Sequence, residues 1–443
     1  MKRFIVDDTV FLASPHALFS FDDNEILIPS SLVAVMGKHT KEHGEIRANA
    51  SEFMHLLDSL YEVPGEDIVT LENGGLIHIF NDDGQDIFAL ADQRQAIIVS
   101  RDPSVRVQAR ALGLPAEPFK AEQVRPTGQR YMGRCNLFVS PDEMSQFARD
   151  RSLVLTKDNY YATDPNGELL SDAYVLTPNE YVTLINSNNP NAGSQLGRFD
   201  GQKIVPLLYY HKDHPVYGVT ARNAAQMFAL DALMNPNASL VILQGPAGTA
   251  KTFLSMAAGL QQTLEDKIYR RILVTRPNTK MDNDVGFLKG DEKEKVLPTL
   301  RGLLDNVDNL MPTIGHSKDG YSSDSCLDEL LERGVIEAQA MAYMRGRSIT
   351  RQYMVVDEMQ NSTQTQALSI ITRIGEESKI VLLGDPDQID SPYLDRRSNG
   401  LVYAADGMKG SQHCFQLTFV EKESTRSQLA KDALMRLRPK GSF

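Results

Sequence analysis

Long apolar runs and paired cysteines are both missing from this 443-residue chain. No stretch approaches the ~18 consecutive apolar residues of a membrane span, so none is expected. Only three cysteines occur, Cys135, Cys326 and Cys414. They are scattered, with no CxxC or Cys/His cluster, which excludes a disulfide framework and a zinc site. A reducing cytoplasm is the expected compartment. An excess of positive charge is also missing: the formal net charge is −12. That excludes coating nucleic acid by bulk charge. It leaves a local basic channel open, because only the cations at the phosphates count. The start, "MKRFIVDDTVFLASP", has two basic residues and a short apolar run. Asp7 and Asp8 break that run, so a secretory signal is not expected.

What is present reads as an ordinary globular protein of two or three domains, with 42% hydrophobic and 23% charged residues. Three regions separate, with no internal repeat. Residues 1–135 alternate apolar runs with helical patterns. "RFIVDDTVFL", "NEILIP", "LIHIF" and "AIIVS" read as strands, and "EIRANASEFMHLLDSL" as a helix. This predicts an α/β domain with a mainly parallel sheet. Residues 136–205 are rich in Asn, Gly and Pro and read as a small β-rich connector with hairpins. Its "NSNNPNAGSQ" is expected to be an exposed loop. Residues 206–443 return to strand–helix alternation. "SLVILQ", "RILVTR", "YMVVDE" and "KIVLLGD" are compact apolar runs, as in parallel strands buried on both faces.

The strand "SLVILQ" runs into "GPAGTAKT" and then a helix. Small residues at Gly245, Pro246, Ala247, Gly248, Thr249 and Ala250 let backbone N–H groups curl around phosphate, aided by the helix dipole. Lys251 would reach the β and γ phosphates, and the Thr252 hydroxyl would sit on Mg²⁺. The usual spelling has Gly before the Lys, where this chain has Ala250. If the loop needs positive φ there, Ala costs about 1 kcal/mol. Alone, the stretch is also compatible with a Gly-rich turn and an exposed Lys. Its neighbours favour the nucleotide reading. Asp357 and Glu358 end an apolar strand in the Walker B manner, to hold Mg²⁺ and to polarise the attacking water. "KIVLLGDPDQID" ends another strand with Asp385 and with Gln388, placed to sense the γ-phosphate. Parallel sheets bind ligands at such strand ends.

Residues 215–435 resemble the PhoH family of ATPases, which is related to superfamily-one helicases. The blocks "PVYGVTARNAAQMFALDALM", "GPAGTAKT", "RILVTRP", "DVGFLKGDEKEKVLP", "AYMRGRS", "VVDEMQN", "LLGDPDQIDSPYLDRRSNGL" and "ESTRSQLA" carry the resemblance. It implies ATP hydrolysis coupled to RNA or DNA, often in a hexameric ring. Gln226 matches a glutamine that reads adenine in related helicases; otherwise it is one polar residue on an amphipathic helix. Arg276 matches a segment that contacts nucleic-acid backbone, or else caps a sheet end. Arg345, Arg347 and Arg426 are candidates to stabilise γ-phosphate charge, in cis or from a neighbouring subunit. Ala250, Lys289, Met359 and Thr425 depart from the family's usual Gly, Pro, Ala and Glu.

The first region resembles a PIN ribonuclease domain in "FIVDDTVFL", "ALFSFDDNEILIP" and "VSRDPSVRVQARALGLPAE". PIN chemistry gathers roughly three or four carboxylates around Mg²⁺ or Mn²⁺. Asp7 takes the first position and Asp102 the last. Ala34 and Val35 stand where the family has acids, and neither Asp83 nor Asp86 aligns cleanly as the third. The leading expectation is a cytoplasmic Mg²⁺–ATP hydrolase that works on RNA, single-stranded first and DNA second. It would act as a homo-oligomeric ring with no membrane partner, moving or unwinding RNA for the PIN domain. The alternative is an ATPase whose inactive PIN domain is a scaffold for RNA or protein remodelling. A small-molecule phosphotransferase explains neither "GDPDQ" nor "TRP".

Overall fold

The computed structural model describes the chain apart from residues 22, 43, 62–66, 72–73, 120–130, 157–159, 172–173, 278–299, 308–309, 311–323, 345–347, 392–393, 427–428, 430–431 and 433–443. It forms two compact units. One holds residues 1–123 with 392–395, the other 124–391 with 396–443.

In the first unit, β1 (Arg3–Val6), β2 (Glu25–Pro29), β3 (Ile68–Thr70), β4 (Leu76–Phe80), β5 (Ile97–Val99) and β6 (Ala116–Glu117) form a sheet ordered β3-β4-β2-β1-β5-β6. Every pairing is parallel except β3 with β4. Successive residues of β1 feed opposite cores: Phe4 and Val6 pack in one, Ile5 in the other. Burial on both faces is why these strands lack polar alternation. The run "RFIVDDTVFL" is not one strand, as the apolar pattern suggests. The strand stops at Val6, and α1 (Asp8–Ala13) follows with Val10, Phe11 and Leu12 buried. Asp7 is its extended N-cap, and its N–H closes the ladder on the Val99 carbonyl at 2.9 Å. Then come α2 (Ser30–His39), α3 (Gly44–Leu60), α4 (Ile87–Arg94) and α5 (Pro103–Ala111).

The second unit contains two sheets. The smaller has β7 (Arg134–Val139), then α6 (Pro141–Asp150), β8 (Tyr161–Thr163), β9 (Tyr181–Asn186), β10 (Ser194–Phe199) and β11 (Ile204–Pro206). Its order is β11-β10-β9-β7-β8. The β9–β10 and β10–β11 pairs are antiparallel hairpins, whereas β7 runs parallel to β9. The loop at residues 188–194 is exposed.

After α7 (Ala224–Met234), the larger sheet comprises β12 (Leu240–Gln244), β13 (Arg271–Thr275), β14 (Ile336–Ala338), β15 (Gln352–Val356), β16 (Lys379–Gly384) and β17 (Cys414–Thr418). α8 (Lys251–Leu260) follows β12. The order β14-β13-β15-β16-β12-β17 is parallel throughout. Val241 and Leu243 fill one core, Leu240 and Ile242 the other. The ends of β12, β15 and β16 therefore reach the same rim.

Edge strand β17 is covered by the smaller sheet's lead-in. The Thr418 N–H donates to the Met132 carbonyl at 2.8 Å. Gly133 sits at φ +72°, and a Cβ there would fall 1.8 Å from the Gln416 carbonyl oxygen. Neither the dihedral nor the space admits a side chain. Asn179 adds Nδ2 bonds to the carbonyls of Ser411, Gln412 and Cys414, at 3.2, 3.2 and 3.3 Å. Gly133→Ala is expected to destabilise the second unit by about 3 kcal/mol or more, because both penalties add. Urea unfolding checks this; a loss under ~0.5 kcal/mol would contradict so close an approach.

Candidate active site

The loop after β12 is shaped by backbone conformation. Gly245 has φ +131°, and a Cβ there would lie 2.5 Å from the Phe419 carbonyl oxygen. Ala250 caps α8 in the left-handed region, with φ 71° and ψ 19°. The positive φ that the missing glycine would ease is therefore real, and Ala250 bears its cost of about 1 kcal/mol. Gly248, at φ +85°, underlies Arg426, whose Cγ, Nε and Cδ would stand 2.4–2.9 Å from an added Cβ. Thr425 fastens this contact: its N–H and hydroxyl donate to the Gly248 carbonyl at 2.8 and 3.1 Å. Arg426 thus stands over the loop of its own chain.

Lys251 is buried at the first turn of α8. Its Nζ donates to the carbonyls of Gly245 at 2.6 Å and Pro246 at 3.1 Å. Burial lowers its pKa, while Asp385, Asp357 and Glu358 pull it back up. Thr252 follows, half-buried. The Asp357 carboxyl is pushed up to about 6, by burial first and by Glu358 next; Lys251 and Arg276 oppose the rise. Arg276, expected at nucleic-acid backbone or a sheet end, is thus felt electrostatically by Asp357. The Asp357 N–H bonds the Thr275 carbonyl at 3.0 Å. Glu358 sits in the left-handed region at φ 54°, an uncommon conformation for a residue other than glycine.

Gln360 joins these parts and was not singled out in the motif. Fully buried, its Nε2 donates to Glu358 Oε2 at 2.6 Å and to the Gln388 carbonyl at 2.8 Å. Its Oε1 accepts from the Asp385 N–H at 3.2 Å. One amide thus ties the Walker B acid to the "GDPDQ" loop. Asn361 holds the same loop further on, accepting the Asp390 N–H at 2.8 Å. A polar residue two places after a motif carries no periodic signal, so no pattern marks it. The Gln388 side chain is exposed on the loop that this network anchors.

Two cavities flank the phosphate loop. One, about 470 Å³, is lined by Gln226, Arg222, Phe253, Ala250 and Arg426. Gln226 is not on a polar helix face: α7 is buried nearly all round, and Gln226 is 3% exposed. Its Oε1 accepts the Arg222 N–H at 2.9 Å, and its Nε2 lies 3.5 Å from the Thr249 carbonyl. The other cavity, about 550 Å³, is lined by Pro246, Asp385, Gln388, Arg396 and Arg426. Arg396 was not foreseen; it pairs with Asp387 at 2.8 Å. Arg345 and Arg347 lie outside the described residues, as does Lys289. The oxygen donors Thr252 and Asp357 suit a hard divalent cation such as Mg²⁺. Thr275 Oγ1 nearby is buried without a hydrogen-bond partner among the described residues.

The first unit's acids are placed differently. Asp7 Oδ2 accepts Thr9 Oγ1 at 2.9 Å and Ser100 Oγ at 2.5 Å. Beside it the Asp8 carboxyl is pushed up to about 7 by burial and by Asp7, against His39, whose Nε2 is 3.7 Å away. Asp102 caps α5 through the Ser104 N–H at 2.7 Å. Asp86 caps α4 through the Ala89 N–H at 2.8 Å, and Asp83 Oδ1 accepts Asn81 Nδ2 at 2.8 Å. Asp82, not foreseen, is buried at the start of α2, accepting the Ser31 N–H at 3.0 Å. Ala34 and Val35 lie on α2. No group of three or more His, Cys, Asp or Glu side chains that could hold a metal ion forms among the described residues.

The parallel sheet, the loop after β12 and the acids after β15 define a P-loop NTPase fold, with a PIN-type α/β domain before it. Residues 218–437 match the PhoH-like protein family and residues 4–120 the PIN domain family. The chain is 32% identical to Protein PhoH2 of Bacillus subtilis, over 98% of this chain and 100% of that one. It is 28% identical to Protein PhoH2 of Thermobispora bispora, over 97% and 95%. The chain belongs to the PhoH2 family, a PIN domain joined to a PhoH domain. Solved structures of the PRRSV helicase and of Pif1 helicase from Candida albicans align at 14% and 13% identity, with TM-scores of 0.20 and 0.25. They cover 55% and 50% of this chain, and 42% and 44% of theirs. No helix among the described residues is long and apolar enough to cross a membrane.

Ala250→Gly is expected to stabilise the chain by up to about 1 kcal/mol, less the extra freedom that Gly has when unfolded. Thermal unfolding and nucleotide affinity check this. Lower stability together with weaker binding would show that position 250 carries no strain.

Proposed function

We propose that this chain is a Mg²⁺-dependent ATP hydrolase coupled to RNA, working in the cytoplasm as a homo-oligomer, with a hexameric ring as the expected form. The observation that carries the ATPase reading is the gathering of Lys251, Asp357, Glu358, Asp385 and Arg426 around one positive-φ loop. The loop N–H groups and Lys251 would bind phosphate, giving up the carbonyl bonds that Lys251 now makes. Thr252 and Asp357 would hold Mg²⁺, which supplies charge neutralisation between the phosphates. Glu358, fixed by Gln360, would orient the attacking water and take its proton. Gln388 and Arg426 would meet the γ-phosphate side, and Gln226 the adenine side. Single-stranded RNA is the substrate class that gives both domains work, with DNA the second choice.

The PIN domain belongs in this reading as a binding module, not as a metal-dependent nuclease. The supporting observation is that Asp82, Asp86 and Asp102 each accept a backbone N–H at a helix start.

Lys251→Ala is expected to abolish ATP turnover, measured as phosphate release with Mg²⁺; near-normal turnover would sink the ATPase reading. Single-stranded RNA is expected to raise the wild-type rate. A rate indifferent to RNA would favour remodelling of a protein complex instead. Labelled RNA with Mg²⁺ or Mn²⁺ tests the PIN domain. No cleavage that Asp7→Asn reduces is expected, and cleavage lost in that variant would restore the nuclease reading.

A further inference from the structure

The segment after β17 delivers Arg426 to the phosphate loop, and the smaller sheet holds that segment. Phe419 donates its N–H to the Gln244 carbonyl at 2.8 Å and packs against Gly245. A single 3-10 turn, Glu421–Glu423, follows, and then Thr425 and Arg426 reach Gly248. Two backbone bonds close the turn, from the Glu423 N–H to the Val420 carbonyl and from the Ser424 N–H to the Glu421 carbonyl, both at 3.0 Å. Its holdfast is Arg134, at the start of β7. Arg134 is 7% exposed; its Nε donates to the Thr418 carbonyl at 3.0 Å and its Nη2 to Glu423 Oε2 at 2.6 Å. The same carboxylate accepts the Val420 N–H at 2.9 Å. One rigid guanidinium thus grips both ends of the bend. A second tether lies nearby: Lys422 Nζ donates to the Pro165 carbonyl at 2.5 Å.

We propose that Arg134 is a positioning residue for ATP turnover, acting through Glu423 to set Arg426 over the phosphate loop. The smaller sheet is then part of the ATPase machinery, since Arg134 opens β7 and Pro165 lies in the turn after β8. This rests on the reading of Arg426 as the arginine that meets the γ-phosphate. Arg134 lines neither cavity beside the phosphate loop, so its loss should lower kcat while leaving ground-state nucleotide binding nearly intact.

The test is a double-mutant cycle in the full chain. Arg426→Ala, Arg134→Met and the pair are compared for kcat, and for affinity toward a fluorescent ATP analogue. Arg426→Ala is expected to lower kcat by about 100-fold or more. Arg134→Met alone is expected to lower it about 10-fold, with affinity changed less than ~3-fold, and to add nothing to Arg426→Ala. Equal losses from Arg134→Met in both backgrounds would overturn the proposal, showing a merely structural role. Normal kcat in Arg134→Met while Arg426→Ala is impaired would overturn it and leave the reading of Arg426 standing. Normal kcat in Arg426→Ala, with Lys251→Ala inactive, would remove that reading and the proposal with it. If Arg134→Met fails to fold by circular dichroism, Glu423→Gln takes its place in the cycle. It keeps the side chain's volume and removes the charge that Arg134 grips, so the same outcomes decide.

Discussion

The nucleotide site depends on one backbone fit. Gly245 lies so close to Phe419 that neither can move independently of the other. That contact joins the loop after β12 to the segment after β17, although 174 positions separate the two residues (419 − 245). From it follow the cage around Lys251, the placement of Thr425 on Gly248 and the stance of Arg426. Interiors are close-packed and transmit displacement more readily than they absorb it. A shift of either segment therefore reaches the other.

Electrostatics reinforce this geometry. Lys251 is a buried cation among Asp357, Asp385 and Glu358; these acids support its charge, and it offsets part of the cost of burying Asp357 and Asp385. Asp357 is reluctant to ionise because burial and Glu358 outweigh Lys251 and Arg276. A cation at Thr252 and Asp357 would reverse that balance, because its own charge becomes the largest nearby. Gln360 contributes by geometry instead, spacing two strand ends with one neutral amide.

Much of this was legible in the residues. Runs such as "LVILQ" are apolar without alternation because each strand is buried on both faces, and the parallel sheet follows. The phosphate loop, Asp357, Glu358, Asp385 and Gln388 were readable because each sits where a strand ends. β17 was harder, because "CFQLT" carries a buried Gln416 that bonds the Ala405 carbonyl at 3.0 Å. β14 is three residues long with Glu337 at its centre, too short to show a period. In "RFIVDDTVFL" the apolar residues of a strand and of a helix join without a break, and only Asp7 divides them. Gln360, Arg396 and Arg134 were not legible as site residues, since their partners lie far away in sequence or carry no pattern. The parallel pairing of β7 with β9 was hidden because hairpin signals report only neighbours.

The covered edge of β17 bears on how this protein can be divided. Residues 218–437 match the PhoH-like family and invite isolation as one piece. Cut there, the larger sheet would lose Met132, Gly133 and Arg134. It would then show water a row of unpaired N–H and C=O groups beside an uncompensated Glu423. Bare strand edges recruit other strands. The isolated piece would be prone to associate through β17, and an oligomer seen in it would report the cut rather than the native assembly.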